Sequence, residues 1–313
     1  MRKPRISILQ WILCGIMVAG FALTTSAQKL DMDKFKNMKA RAIGPAGMSG
    51  RVTAIDVVLS NTDVIYLGTA SGGLWKSVNA GTTWEPIFDE QPVASIGALA
   101  IVQSNPDVIY VGTGEGNPRN SQTNGNGMYK TLDGGKTWTH LGLEATRNIH
   151  RVIVHPENPD VVFVGAQGTA WADTPDREVY SSTDGGKTWK KILYNNERTG
   201  IGELVMDPEN PNKLFAAMWE FRRWPWFFKS GGPGSGLYVT FDGGETWTQR
   251  TAEDGLPKGE LGRMGLAIAR SNPNIVYALI EAKKNGFYRS ADGGFKWKLV
   301  TDSDRNMGNR PFY

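Results

Sequence analysis

The sequence predicts an all-β chain of four-stranded antiparallel blades, a β-propeller, on three observations. The first is the stretch 182–189, S-T-D-G-G-K-T-W, which recurs with small changes at 77–84, 131–138, 240–247 and 290–297. The second is its period. The closing tryptophans, Trp84, Trp138, Trp189, Trp247 and Trp297, lie 54, 51, 58 and 50 residues apart, and such self-similarity marks architectures in which one repeat cannot bury its apolar face alone. The third is that every period holds four short β-branched and aromatic runs separated by Asn-, Asp-, Pro- and Gly-rich turns.

The repeated stretch is expected to be a hairpin turn, since strand-like runs such as 178–181 and 189–193 flank it. Its paired glycines supply the positive φ of a tight connection between antiparallel strands. Asp133, Asp184, Asp242 and Asp292 can accept hydrogen bonds from the turn's own N–H groups, and Ser or Thr hydroxyls at either end can close the loop. Each tryptophan is expected to open the next strand as a buried residue whose indole N–H finds a partner. These aspartates and tryptophans are therefore assigned structural roles. The G-G-K-T at 134–137 and 185–188 resembles the tail of a phosphate-binding loop, but that motif requires glycine where this chain has Lys130 and Ser181, and a following helix. No copy has a second carboxylate at calcium-loop spacing, so neither metal nor cofactor is expected.

In chain order, residues 1–27 read as an export signal: Arg2, Lys3 and Arg5 precede an apolar run over 6–23, and small residues follow to Ala27. That run is interrupted by Gln10 and short for a spanning helix. The only cysteine, Cys14, follows Leu13 where lipid attachment wants a small residue. Signal removal takes the formal charge from +4 to +1 and leaves no thiol. Disulfides, thiolate chemistry and nucleic-acid binding are thus not expected, and the destination is secreted, periplasmic or cell-surface. Residues 28–49 contain one alternating strand, 38–43, without a blade of its own, which suits closure of a final blade. Blades are expected over 50–91, 93–145, 147–200, 201–256 and 262–301, making 50–313 a propeller region. In each, an apolar strand (52–58, 96–102, 151–155, 202–206, 264–269) leads through a turn such as Asn105-Pro106-Asp107 to a second, nearly continuous apolar strand. A third strand carries an aromatic residue (Trp75, Tyr129, Tyr180, Tyr238, Tyr288) before the repeated turn, and the fourth starts at its tryptophan. A further strand begins at 310–313, so the remaining blades of a longer parent chain are expected partners.

Hairpin connections alternate between the two rims of a blade, which puts the second-to-third connections opposite the repeated turns. There the chain varies: 69–73 in the first blade, 114–127 in the second, 168–177 in the third. The fourth holds 219–228, W-E-F-R-R-W-P-W-F-F, followed by a flexible, glycine-rich 230–236. Function concentrates in loops on a rigid scaffold. Trp219, Arg222, Arg223, Trp224 and Trp226 are candidates for contacting a sugar ring or peptide and gripping an acidic group. Packing over the channel mouth or against a missing blade is the competing reading. Arg51, Arg151 and Arg263, with Glu203, begin innermost strands near the same rim. The arginines could converge on a ligand carboxylate or stand as solvated rim charges. For glycoside hydrolysis, which needs paired carboxylates, the rim offers Glu115, Asp173, Asp176, Glu178 and Glu220, with no two paired by the sequence. His150 and His155 are an odd number of strand positions apart and point to opposite faces, against a shared metal site.

The S/T-x-D-x-G-x-T-W box resembles the Asp-box or BNR repeat, and the grammar N-P-D-x-x-Y-x-G-T…Y-x-S-x-D-G-G-x-T-W is similar to sortilin-type (Vps-ten) propellers and their secreted bacterial relatives. Asn79 replaces the aspartate in the first copy and Lys296 the threonine in the fifth. In sortilin-like receptors the propeller is a peptide- and protein-binding ring. The same repeats occur in sialidases and xyloglucanase-type glycoside hydrolases, where an Arg-Ile-Pro motif heralds the sialidase site. This chain has R-A-I-G-P at 41–45, and no catalytic residue is carried over. The resemblance implies a secreted, non-catalytic module binding a protein, peptide or carbohydrate, with a polysaccharide hydrolase as the alternative.

Overall fold

Short β-branched runs broken every few residues by Asn-Pro or Gly-Gly cannot build long helices, and in the computed structural model the elements formed by the described residues between 31 and 303 are strands and 3-10 turns of three or four residues. It describes residues 31–35, 51–303 and Met307. The expected signal at 1–27, the strand at 38–43 and the strand at 310–313 lie outside those residues. Two compact units are present, Met1–Ile43 and Gly44–Tyr313. The described part of the first is the single 3-10 turn Met32–Phe35.

Among its described residues the second unit carries five sheets. Blade one is β1 (Val52–Val57), β2 (Ile65–Thr69), β3 (Leu74–Ser77) and β4 (Glu85–Pro86). Blade two is β5 (Ile96–Ile101), β6 (Ile109–Thr113), β7 (Met128–Thr131) and β8 (Thr139–His140). Blade three is β9 (Ile149–Val154), β10 (Val162–Ala166), β11 (Val179–Ser182) and β12 (Lys190–Leu193). Blade four is β13 (Thr199–Met206), β14 (Leu214–Trp224), β16 (Gly236–Thr240) and β17 (Thr248–Arg250), with β15 (Phe227–Ser230) paired to the far half of β14. Blade five is β18 (Leu261–Ile268), β19 (Val276–Ala282), β20 (Gly286–Ser290) and β21 (Lys298–Thr301). All pairings are antiparallel and in chain order, and the first strands of successive blades stand side by side. The fold is the expected all-β arrangement of four-stranded blades.

The blades lock face to face by a repeated small-into-large contact. A Cβ added at Gly68, Gly112 or Gly165, in the second strands, would lie 2.5, 2.4 and 2.7 Å from Cγ2 of Ile96, Ile149 and Ile201 of the next blade. The absence of a side chain in one sheet is thus the seat for an isoleucine of its neighbour. Farther out, the lysine ahead of the repeated turn reaches the next blade's turn. Lys76 Nζ donates to Gly134 O at 3.0 Å while lying over the Tyr66 ring.

The repeated turns are built as expected. Gly134 and Gly135 have φ of 70° and 97°, Thr137 Oγ1 donates to Asp133 Oδ2 at 2.6 Å, and the Thr137 N–H donates to Oδ1 at 2.9 Å. Each turn is tied to the first-to-second connection of its own blade, as by Gly134 N–H to Asp107 O at 2.9 Å and Gly185 N–H to Asp160 O at 2.9 Å. In the first copy Asn79 keeps the geometry, with its Oδ1 accepting from the Thr83 N–H and its Nδ2 donating to Thr83 Oγ1. The tryptophans differ from expectation in three respects, one being that Trp247 Nε1 is shut off from solvent without a hydrogen-bond partner. The fourth strands begin one residue after them, and only Trp297 is buried, whereas Trp84, Trp138, Trp189 and Trp247 are half-buried. The reason is their position at the outer edge of the junction between blades. Trp138 Nε1 donates to Ile87 O and Trp189 Nε1 to Leu141 O of the preceding blade, each at 2.8 Å. One ring face packs while the other meets solvent.

Candidate functional site

The ties between repeated turns and first-to-second connections put both on one rim and leave the second-to-third connections on the other. On that second rim the segment 219–228 is not a loop. Alternating aromatic and charged residues continue β14 to Trp224, Pro225 and Trp226 turn the chain, and β15 returns along it in the register Arg222↔Lys229 and Trp224↔Phe227. The strand period of two divides the side chains. Trp219 and Phe221 point into the protein, fully buried and stacked at 4.4 Å, against Ala170, Trp171 and Phe228. The Trp219 indole donates to Ser230 Oγ at 3.0 Å. Trp219 is therefore a packing residue, a correction to its candidacy as a ligand contact. Nor does 230–236 hang loose: Gly232 bridges Leu261, and the Gly234 N–H donates to Glu220 Oε2 at 2.9 Å.

Arg222, Trp224, Phe227 and Lys229 occupy the opposite face of the hairpin. Trp226, 82% exposed, and Phe227, 58% exposed, form its tip. The neighbouring loops brace it. The Arg223 N–H donates to Ala170 O and Arg223 Nε to Asn120 Oδ1, both at 2.8 Å. Arg177, fully buried, was not singled out by the sequence. Its guanidinium donates to Arg198 O at 3.0 Å, to Ala172 O at 2.6 Å and to Thr169 O, and lies over the Phe221 ring at 4.8 Å. Burial, ahead of the opposing charge of Asp173, pulls its pKa down to about 10. Only its position four residues after Asp173 in a polar loop hinted at it, and that pattern is too common to read.

Between the hairpin and the blade-three loop lies a cleft of about 90 Å³ lined by Asp173, Arg198, Glu220, Arg222, Trp224 and Lys229. Glu220 is buried and engaged by Gly234, by Lys229 at 3.5 Å and by Arg198 at 3.7 Å. Arg222 lies over Trp224 at 5.5 Å and 3.7 Å from Asp173.

Nearer the first strands, the three arginines are taken up by internal partners, with Arg151 and Arg263 flanking one imidazole, His150. Arg51 grips Glu115 with two hydrogen bonds, Nε to Oε1 at 2.7 Å and Nη2 to Oε2 at 2.5 Å. Arg151 grips Glu203, with Nη2 to Oε2 at 2.8 Å. Arg263 alone turns elsewhere, its Nη2 donating to His150 Nε2 at 2.9 Å and its guanidinium stacking over Trp219 at 5.3 Å. Burial, and then the charges of Arg151 and Arg263, keep the His150 imidazole neutral and able to accept. Burial lowers the Arg263 pKa to about 10. The expectation of three arginines meeting one ligand carboxylate, or of three solvated charges, gives way to an internally paired network. His155 is structural, its Nδ1 accepting from the Glu157 and Asn158 N–H groups.

The rim carboxylates follow the same logic. Glu115 is sealed by Arg51, while Glu178 is buried against Lys191 and accepts from the Tyr180 hydroxyl at 2.9 Å. Burial raises the Glu178 pKa against those partners. Asp176 is half-buried at the edge of the loop. Asp173 and Glu220 alone among these share a cleft, in the company of three cations. Among the described residues no cluster of three His, Cys, Asp or Glu side chains could hold a metal, and no helix is long and apolar enough to cross a membrane.

The family profile Sortilin-Vps10, described as sortilin, neurotensin receptor 3, matches residues 72–203 and again 177–308. The chain belongs to the Sortilin-Vps10 family. Its curated relatives include a xyloglucanase of Paenibacillus sp., 27% identical over 308 residues that cover 89% of this chain and 27% of that protein. Another is the photosystem II assembly protein Ycf48 of Thermosynechococcus vestitus, 27% identical over 164 residues, 41% of this chain and 42% of that one. This Sortilin-Vps10 chain thus spans about a quarter of the xyloglucanase and less than half of Ycf48. In fold it is similar to the GH74 enzyme of Niastella koreensis, with a TM-score of 0.61 at 22% identity over 79% of this chain and 38% of that one. An ancestral GH74 enzyme gives a TM-score of 0.59 at 21% identity over 81% and 33%.

Proposed function

We propose that this Sortilin-Vps10 chain is a secreted, non-catalytic binding module whose loop-bearing rim engages a protein, peptide or glycan through the β14–β15 hairpin. The observation that carries the reading is the hairpin tip, where Trp226 and Phe227 stand in solvent on a brace of buried aromatics and an arginine clamp. Exposed aromatics on a rigid support supply contact area at low entropic cost. Of the rim acids a hydrolase would use, Glu115, Glu178 and Glu220 are buried in ion pairs with Arg51, Lys191 and Lys229. The exposed Val52 and Ile55 of blade one, where blade two buries Ile96 and Leu99, favour the company of further blades. Peptide and glycan arrays probed with wild type and with Trp226→Ala/Phe227→Ala test the reading. Loss of the captured ligand with an unchanged melting temperature is expected, and retention of binding by the double variant refutes it.

A polysaccharide hydrolase is the second reading, favoured by the identity with the xyloglucanase over most of this chain and by the cleft shared by Asp173 and Glu220. Reducing-end release from xyloglucan, other β-glucans and sialosides tests it. Turnover abolished by Asp173→Asn or Glu220→Gln would replace the first reading with this one.

A further inference from the structure

We infer that the cleft beside β14–β15 takes the side-chain carboxylate of an aspartate or glutamate in an extended peptide, with the adjoining apolar residue of that peptide against Trp224 and Phe227. The inference rests on the binding-module reading. Charge is its first support: Arg198, Arg222 and Lys229 face Asp173 and Glu220 in the cleft, leaving one cation in excess. Glu220 accepts from the Gly234 N–H at 2.9 Å and has Lys229 and Arg198 at ion-pair distances of 3.5 and 3.7 Å.

The second support is an unmet donor. Arg222 Nη1 is shut off from solvent and makes no hydrogen bond. Its nearest acid, Asp173 Oδ1 at 3.7 Å, is an ion-pair contact beyond hydrogen-bond range. A buried donor without an acceptor is costly, and a ligand carboxylate presents the two-oxygen edge that a guanidinium fork matches. Asp173, half in solvent, is the group such a ligand displaces. The third support is the apolar wall beside the charges. Trp224 lines the cleft, and Phe227, on the same face of the hairpin, lies 6.0 Å from it, a surface for the neighbouring apolar residue of a peptide.

The test labels the full chain with 5-fluorotryptophan, assigns the Trp224 resonance by Trp224→Phe, and titrates with N-acetyl-glutamate N-methylamide and its glutamine counterpart. A saturable shift at Trp224 with the glutamate probe is expected, at least tenfold weaker with the glutamine probe and weakened again in 1 M salt. Arg222→Gln should weaken the glutamate probe at least tenfold, Arg222→Lys less, and Lys187→Gln on the opposite rim not at all. Equal binding of both probes, or an unchanged affinity in a folded Arg222→Gln, overturns the assignment. So does N-acetylglycine or methyl glucuronide binding as tightly as the glutamate probe, which would give the cleft to a chain terminus or a uronate. If an array ligand needs Trp226 and Phe227 while neither amide shifts Trp224, the cleft assignment falls and the binding-module reading stands. If the glutamate probe binds but the arrays capture nothing, the reverse holds.

Discussion

Gly165→Ala isolates the contact that holds one blade to the next. Gly165 lies outside the left-handed region, so alanine is opposed there by packing alone. Its Cβ would sit 2.7 Å from Cγ2 and 3.2 Å from Cβ of Ile201, against an optimum of about 3.5–4.0 Å between carbons. Overpacking of that kind costs about 1–3 kcal/mol, a fall in melting temperature of roughly 2–12 °C for a chain of this order. Ile201→Ala alone should cost about 2–5 kcal/mol through its cavity. The double variant removes the 2.7 Å clash with Cγ2, so its loss should fall short of the sum by about 1–2 kcal/mol. Urea and thermal melts of the three variants read the cycle. A neutral Gly165→Ala, or additivity within about 0.5 kcal/mol, would refute the locking of blades by isoleucine on glycine.

The repeated turns should make stability depend on acid. Asp133 and Asp184 are held well below ordinary carboxylate values by the hydroxyls of Thr137 and Thr188 first, and Asp242 by Thr240. A pKa depressed on folding contributes stability that is present above the unfolded value of about 3.9 and lost as pH falls through the folded one. The urea midpoint should therefore drop below about pH 4, and Asp133→Asn/Asp184→Asn/Asp242→Asn should flatten that drop, since Asn79 already holds the first turn without a charge. Arg177→Met strips the carbonyls of Thr169, Ala172 and Arg198 of their donor and should cost about 3 kcal/mol or more, with faster hydrogen exchange in β15. Trp226→Ala, at an 82% exposed tip, should leave the melt within about 0.5 kcal/mol while weakening ligand capture; a large stability loss would make the tip a packing element.

Strand order, blade count and turn chemistry were legible because each is written in local residues: the glycine pairs, the aspartate with its flanking hydroxyls, and the tryptophan every fifty or so positions. Asn79 for aspartate and Lys296 for threonine did not hide the period. Contacts between blades were not legible, since the seat of Ile201 on Gly165 joins residues 36 apart that no local pattern relates. The same distance effect hid the pairing of Arg51 with Glu115 and of Arg151 with Glu203. The segment 219–228 misled because Trp-Pro-Trp suggests a breaking loop, whereas Pro225 occupies a two-residue hairpin turn and the flanking residues alternate as strands do. Trp219 and Trp226 look alike in the sequence, but Trp219 pairs with Gly200 inside β14 and is buried, whereas Trp226 falls in the turn between β14 and β15 and is exposed.

Hydroxyl-radical footprinting of the full chain, free and saturated with a ligand captured on the arrays, tests most directly which rim does the binding. Phe241 and Phe295, exposed and stacked at 5.2 Å beside the repeated turns, are built-in controls for the opposite side. Protection of Trp224, Trp226 and Phe227 with Phe241 and Phe295 unchanged is the expected result. Protection of Phe241 and Phe295 with an unprotected hairpin would contradict it.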